Sequence, residues 1–126
     1  MSLDEYFRLI DDFLAGLDIG YARQVSYDKR SSDTGFIRGQ LFFVDGSVLH
    51  FREFVEIKQQ IERYTYTYHY QRSDNSLVFR YDRTLHFPSF PNFPHHKHVN
   101  AETNVIPADE PNLFVVIEEI RRLFSI

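Results

Sequence analysis

A chain of 126 residues with a net charge of −4 and no cysteine is the length of one domain and can bury one core without a covalent staple. The missing cysteine excludes a disulfide framework, a thiolate metal site and a cysteine nucleophile, and the acidic balance excludes a generally basic nucleic-acid coat. No apolar run approaches the roughly 20 residues that span a bilayer. The charged, periodic start predicts a chain without a signal peptide, and both features fit a cytoplasmic protein.

The charge is unevenly spread. Residues 61–98 carry a net +2 and five of the six histidines, whereas the segments on either side carry −3 each. A basic, histidine-rich centre in an acidic chain is a place where phosphate would be attracted. The chain holds 13 Phe and 8 Tyr but no Trp. This composition suits a Phe-rich core with Tyr where one edge must stay wet, or exposed rings that stack bases or anchor a partner.

Residues 3–17 predict an amphipathic helix, because Leu3, Tyr6, Phe7, Ile10, Phe13, Leu14 and Leu17 recur at three- and four-residue spacing. Ser2 with Glu5 forms a capping box, Asp4 and Glu5 suit the positive end of the helix, and Gly16 or Gly20 ends it. Residues 20–30 alternate as a strand. Residues 35–57 predict a hairpin about Asp45-Gly46, read as a two-residue turn that pairs Phe43 with Val48 and sets His50 opposite Leu41. Residues 60–71 place Tyr64, Tyr66, Tyr68 and Tyr70 on one face, and residues 77–83 return after Ser73-Asp74-Asn75-Ser76.

A two-residue loop at Asp74-Asn75 sets Tyr68 opposite Tyr81, Tyr70 opposite Phe79, His69 opposite Arg80 and Thr67 opposite Asp82. That register yields one aromatic and one polar face, and a slip of one residue would destroy the sorting. The aromatic face is expected to meet the core. The polar face, with Thr67, His69, Arg80 and Asp82, is then either a solvated surface pair or the floor of a site. Beyond it, Phe87-Pro88, Phe90-Pro91 and Phe93-Pro94 repeat every three residues, the period of polyproline II. They predict an extended arm that fixes the following His95-His96-Lys97-His98, or a strap for a partner. On a strand, His96 and His98 share one side while His95 and Lys97 share the other. Residues 109–124 predict a closing helix, capped by Asp109 with Pro111 in its first turn and striped by Leu113, Val116, Ile117, Ile120 and Phe124.

Tyr-Thr-Tyr-His-Tyr at 66–70, Phe-Arg-Tyr-Asp at 79–82, His86, and Phe-Pro-His-His-Lys-His at 93–98 resemble the TumE-type toxin-antitoxin family of prokaryotes, as do Gly46, Leu49 and Phe51. The resemblance covers roughly residues 36–122. It implies a cytoplasmic protein, the toxic half of a toxin-antitoxin pair, with Arg80, Tyr81, Asp82, His86, Pro94, His96, Lys97 and His98 on the motif. Arg83 stands where a small polar group often follows Arg-Tyr-Asp, and Phe87 where a second histidine often follows His86.

Three functions fit these residues. A metal-independent ribonuclease needs no cofactor: Arg80 and Lys97 would bind phosphate, Tyr81 would donate to it or stack a base, and His86, His96 and His98 would transfer protons, supported by His69 and Asp82. A metal site would draw on Asp82, His86, His96 and His98. A non-catalytic interaction protein would use the histidine-rich arm as structure or to engage an antitoxin. RNA and an antitoxin protein are the expected partners, a homodimer through edge strands is compatible, and no membrane is implied. The expected fold is a single α+β domain over residues 1–126, a twisted antiparallel sheet of about five strands with both terminal helices on one face.

Overall fold

Alternation of apolar and polar residues along successive strands builds an antiparallel meander whose inner face is closed by two amphipathic helices. The computed structural model describes residues 1–83 and 95–124; the Phe-Pro repeat and His86 lie outside the described residues. The order is α1 (Leu3–Ala15), β1 (Gly20–Lys29), β2 (Thr34–Phe43), β3 (Val48–Ile57), β4 (Ile61–Gln71), β5 (Leu77–Arg83), β6 (His95–Val99), β7 (Val105–Pro107) and α2 (Leu113–Phe124). The strands form one sheet in chain order, each antiparallel to the next. Among the described residues the sheet therefore has seven strands rather than about five, because the histidine run and the short Val105–Pro107 segment each add one. No helix among the described residues is long and apolar enough to cross a membrane.

The core lies between the sheet and the helices. Leu3, Tyr6, Ile10 and Leu14 of α1 and Leu113, Val116, Ile117 and Ile120 of α2 pack on Leu41, Phe51, Tyr68 and Phe79. Phe13 meets Phe114 at 4.6 Å between ring centroids, which joins the two helices. The capping box forms as expected, with Ser2 Oγ accepting from Glu5 N–H and the Glu5 carboxylate accepting from Ser2 N–H, both at 3.1 Å. The last helix starts later than the sequence predicts. Its cap is Asn112, whose Oδ1 accepts from Val115 N–H at 2.9 Å, rather than Asp109.

Turn chemistry sets the registers. In the β2–β3 hairpin Gly46 has φ +87° and its N–H donates to Phe43 O at 3.0 Å, while Phe43 N–H donates to Ser47 O at 3.0 Å. The connection is one residue longer than a two-residue turn, since Asp45 keeps a negative φ and only Gly46 is left-handed. Phe42 rather than Phe43 therefore faces Val48, and His50 faces Gln40 rather than Leu41. The β4–β5 turn repeats the device with Asn75 at φ 71°. There an irregularity between Tyr70 and Gln71 restores the register, so Tyr68 faces Tyr81, His69 faces Arg80 and Thr67 faces Asp82.

A carboxylate is buried on the inner face. Glu53, 1% exposed, accepts from Tyr6 Oη at 2.5 Å and from Tyr68 Oη, and lies 3.5 Å from Arg63 Nε. Burial, and then the Glu53 carboxylate, push both phenols well above their ordinary range, so they stay protonated donors. A buried carboxylate is tolerable only when its oxygens are satisfied in this way. Glu53→Ala leaves Arg63 without that partner and is expected to cost about 3–5 kcal/mol. Tyr68→Ala, which empties a fully buried aromatic site, is expected to cost a similar ~3–5 kcal/mol. Urea denaturation checks both, and an unchanged midpoint for either would contradict the inward facing of Glu53 and Tyr68.

Candidate functional site

The outer face of the sheet collects the polar chemistry. Across β5 and β6, Arg80 faces His98 and Asp82 faces His96, while Tyr81 faces Lys97 one residue out of phase. Alternation then sends Arg80, Asp82, His96 and His98 to the outer face and Tyr81, His95 and Lys97 to the inner one.

The four outer groups converge. His96 Nε2 lies 2.5 Å from Asp82 Oδ1, and His98 Nε2 lies 3.8 Å from Asp82 Oδ2. The two imidazole centroids are 5.0 Å apart. Arg80 Nε donates to Asp82 Oδ2 at 3.1 Å, and its Nη2 lies 3.3 Å from His98 Nε2. His98 Nδ1 lies 2.8 Å from the carbonyl oxygen of Glu102. A carbonyl only accepts, so Nδ1 carries the proton and Nε2 presents its lone pair to Arg80 and the cluster. The imidazoles are enclosed, with side chains 4% and 8% exposed, whereas Arg80 at 27% and Asp82 at 19% keep an accessible edge.

Glu102 is a member that sequence reasoning missed. It sits in the β6–β7 connection, where Asn100 adopts φ 62° and Asn104 N–H donates to Ala101 O at 3.2 Å. Its carboxylate receives Arg80 Nη1 at 2.9 Å and Nη2 at 2.8 Å, a two-pronged clamp. Nothing in the local sequence marks it, because the β6–β7 hairpin that delivers it depends on a three-residue strand.

The other expected site residues lie elsewhere. Tyr81 Oη donates to Glu119 Oε1 at 2.6 Å and Lys97 Nζ to Glu119 Oε2 at 2.8 Å, tying β5 and β6 to α2. Burial alone would lower the Lys97 ammonium, but the bonds to Glu119 and Tyr81 outweigh it and raise it, so the cation is held on the inner face, 4.7 Å from the Tyr81 ring centroid. His95 stacks on Tyr66, 2.7 Å from its hydroxyl. Tyr81 and Lys97 thus do not share the face of Arg80. His69 does, opposite Arg80, with Nε2 3.1 Å from Gln71 Oε1 and its ring 5.9 Å from that of His50.

Asp82, His96 and His98 present one ligand-type atom each within 4.8 Å of one another, a donor set of two imidazoles and a carboxylate that suits a divalent cation. Arg80 lies in contact with the same atoms and would have to swing away for an ion to enter.

Burial first, then the nearby Arg80 and His50, lower the pKa of His69. The unfolded chain then binds this proton near pH 6.5 while the folded chain does so at lower pH. Stability from this residue is intact above about pH 6.5 and declines as pH falls below it. His69→Gln is expected to flatten the fall in melting temperature between about pH 7 and 5, and an unaltered pH profile would contradict the burial of the neutral ring.

The family model described as Toxin TumE matches residues 5–124 of the chain. No curated protein and no solved structure matches it.

Proposed function

Because the chain belongs to the TumE toxin family, we propose that it is the toxic half of a toxin-antitoxin pair and that it kills by cleaving RNA. The observation that carries the chemistry is the convergence of Arg80, Asp82, His96 and His98 on one face of two adjacent strands. RNA supplies its own nucleophile, so the protein has to provide a base, an acid and a cation for the phosphate. His98 Nε2, with its lone pair turned into the cluster, takes the proton of the 2′-hydroxyl. The 2′-oxygen then bonds to phosphorus and the bond from phosphorus to the 5′-oxygen breaks. His96, in its doubly protonated form and 2.5 Å from Asp82 through Nε2, gives one proton to the departing 5′-oxygen and is left neutral. The products are a 2′,3′-cyclic phosphate and a 5′-hydroxyl, and no metal, water or redox partner is consumed.

Arg80 receives the phosphate. In the free protein its guanidinium is occupied by Glu102, whose side chain is 53% exposed, and an incoming phosphate takes the place of that carboxylate. The outward-facing edge of Arg80 and Asp82 is the way in. Glu102 thereby excludes weak anions and leaves the imidazoles in place when it is displaced.

A second reading rests on the ligand set of Asp82, His96 and His98. A divalent ion held there would polarise the phosphate directly, in place of Arg80. The two readings differ in one measurement.

Purified protein is expected to cleave single-stranded RNA in excess EDTA and to leave cyclic phosphate ends, with Arg80→Ala and His98→Ala each reducing the rate about 10²-fold or more. Loss of cleavage in EDTA with recovery on adding Zn²⁺ or Mn²⁺ selects the metal reading. In cells, induced expression is expected to arrest growth with RNA fragmentation, and His96→Ala with His98→Ala to abolish both. Intact RNA during arrest would refute cleavage as the toxic act.

A further inference from the structure

Sheet register sets two arginines of one hairpin on the same rung. Arg38 of β2 and Arg52 of β3 are directly opposite on the outer face, and both are exposed. Like charges in that position destabilise a sheet. Yet neither arginine is paired with a carboxylate among the described residues, and residues 84–94 contain no acidic residue. Along the rung that holds them, Ser26, Arg38, Arg52 and Thr67 lead to Asp82 and His96. Arg52 is two strands from Asp82, about 10 Å at ordinary strand spacing.

The surface there is concave. One depression of about 440 Å³ is lined by Arg38, Gln40, His50, Arg52 and Thr67. A second, of about 330 Å³, shares Arg38, Arg52 and Thr67 and adds Phe36 and Phe54. Those two rings lie 4.7 Å apart on the next outward-facing rung, and Phe36 is 37% exposed. The depressions adjoin the histidine cluster and are distinct from it.

We propose that the face formed by Arg38, Arg52, Phe36 and Phe54 is a docking platform for single-stranded RNA, laid beside the reaction centre. The guanidiniums match two backbone phosphates, and the exposed Phe36 ring, beside half-buried Phe54 and with the Arg30 guanidinium 5.0 Å from its centroid, matches an unpaired base, which alone leaves a π-face open to stack. A duplex has no free base for Phe36, and an acidic peptide would use the arginines and leave the rings idle. The inference deepens the reading of the chain as an RNA-cleaving toxin and rests on it, by naming how the strand is held.

The test uses a short fluorescent single-stranded 2′-O-methyl RNA, which lacks the nucleophilic hydroxyl and so reports binding whether or not the protein cleaves. Fluorescence anisotropy is expected to show binding, with Arg38→Ala plus Arg52→Ala weakening it at least about tenfold and lowering the log–log salt slope by about 1.4, the equivalent of two phosphate contacts. Phe36→Ala is expected to weaken it about fivefold or more. The melting temperature of the double arginine variant should be unchanged or raised, since a repulsion is relieved. No binding by the wild type, equal binding by the double variant, tighter binding of the corresponding duplex, or displacement by an oligoglutamate peptide at lower concentration would each overturn the platform. Normal binding by the double variant while the wild type cleaves ordinary RNA removes the platform alone. Arginine-dependent binding without any cleavage keeps the platform and removes the ribonuclease.

Discussion

Alternation along a chain-ordered meander is the constraint on which the rest of this molecule depends. A slip of one residue in β5 would turn Arg80 and Asp82 toward the helices and Phe79 and Tyr81 toward solvent. Two local features prevent it. Asn75 takes the left-handed conformation that closes the turn, and the irregularity beside Tyr70 absorbs the extra residue this turn introduces. Neither works alone, since the turn without the irregularity gives the wrong facing. The β2–β3 hairpin uses the same turn with Gly46 and lacks the compensation near it, so its register runs one residue away from a two-residue turn.

Glu53 holds the inner face as the turns hold the outer one. It receives a hydroxyl from α1 and another from β4, and lies near the guanidinium of Arg63. A carboxylate in that place is poor for stability compared with an apolar residue of the same size. What it adds is direction, because its two oxygens accept from two different elements. Helix α1 must then lie with Tyr6 over β3 and β4, and a rotated helix would leave the charge unsatisfied.

Much of the framework was legible in the sequence because it follows from periodicity and capping. The stripes of both helices, the Ser2 box, three of the four tyrosines of the aromatic row (Tyr66, Tyr68 and Tyr70), and the pairing of that row with Phe79 and Tyr81 all come from short-range patterns, whereas Tyr64 leaves the row at the irregularity beside Phe54 and meets Phe54 and Glu56 instead. The split of His95 and Lys97 from His96 and His98 follows from the same rule. What was not legible is long-range. Arg38 and Arg52 sit in the acidic part of the chain by composition, and only the strand pairing gathers them where no carboxylate stands opposite. Glu102 depends on a loop whose path no pattern encodes. Tyr81 and Lys97 are adjacent to Arg80 and His96 in sequence, and the alternation that is legible there already separates them by the thickness of the sheet, against their expected place in the site.

Strand β6 shows why that separation serves the site. Its inward side chains are fastenings: Lys97 binds Glu119 of α2, and His95 stacks on Tyr66. Its outward side chains, His96 and His98, are therefore carried by a segment clamped from behind, with Asp82 and Arg80 on the neighbouring strand held likewise through Tyr81. Groups placed on fastened strands keep their geometry better than groups on loops. Among the described members of the cluster, Glu102 alone comes from a connection between strands. An anion that reaches Arg80 thus competes with the most yielding partner in the site, and the two imidazoles stay where the core has put them.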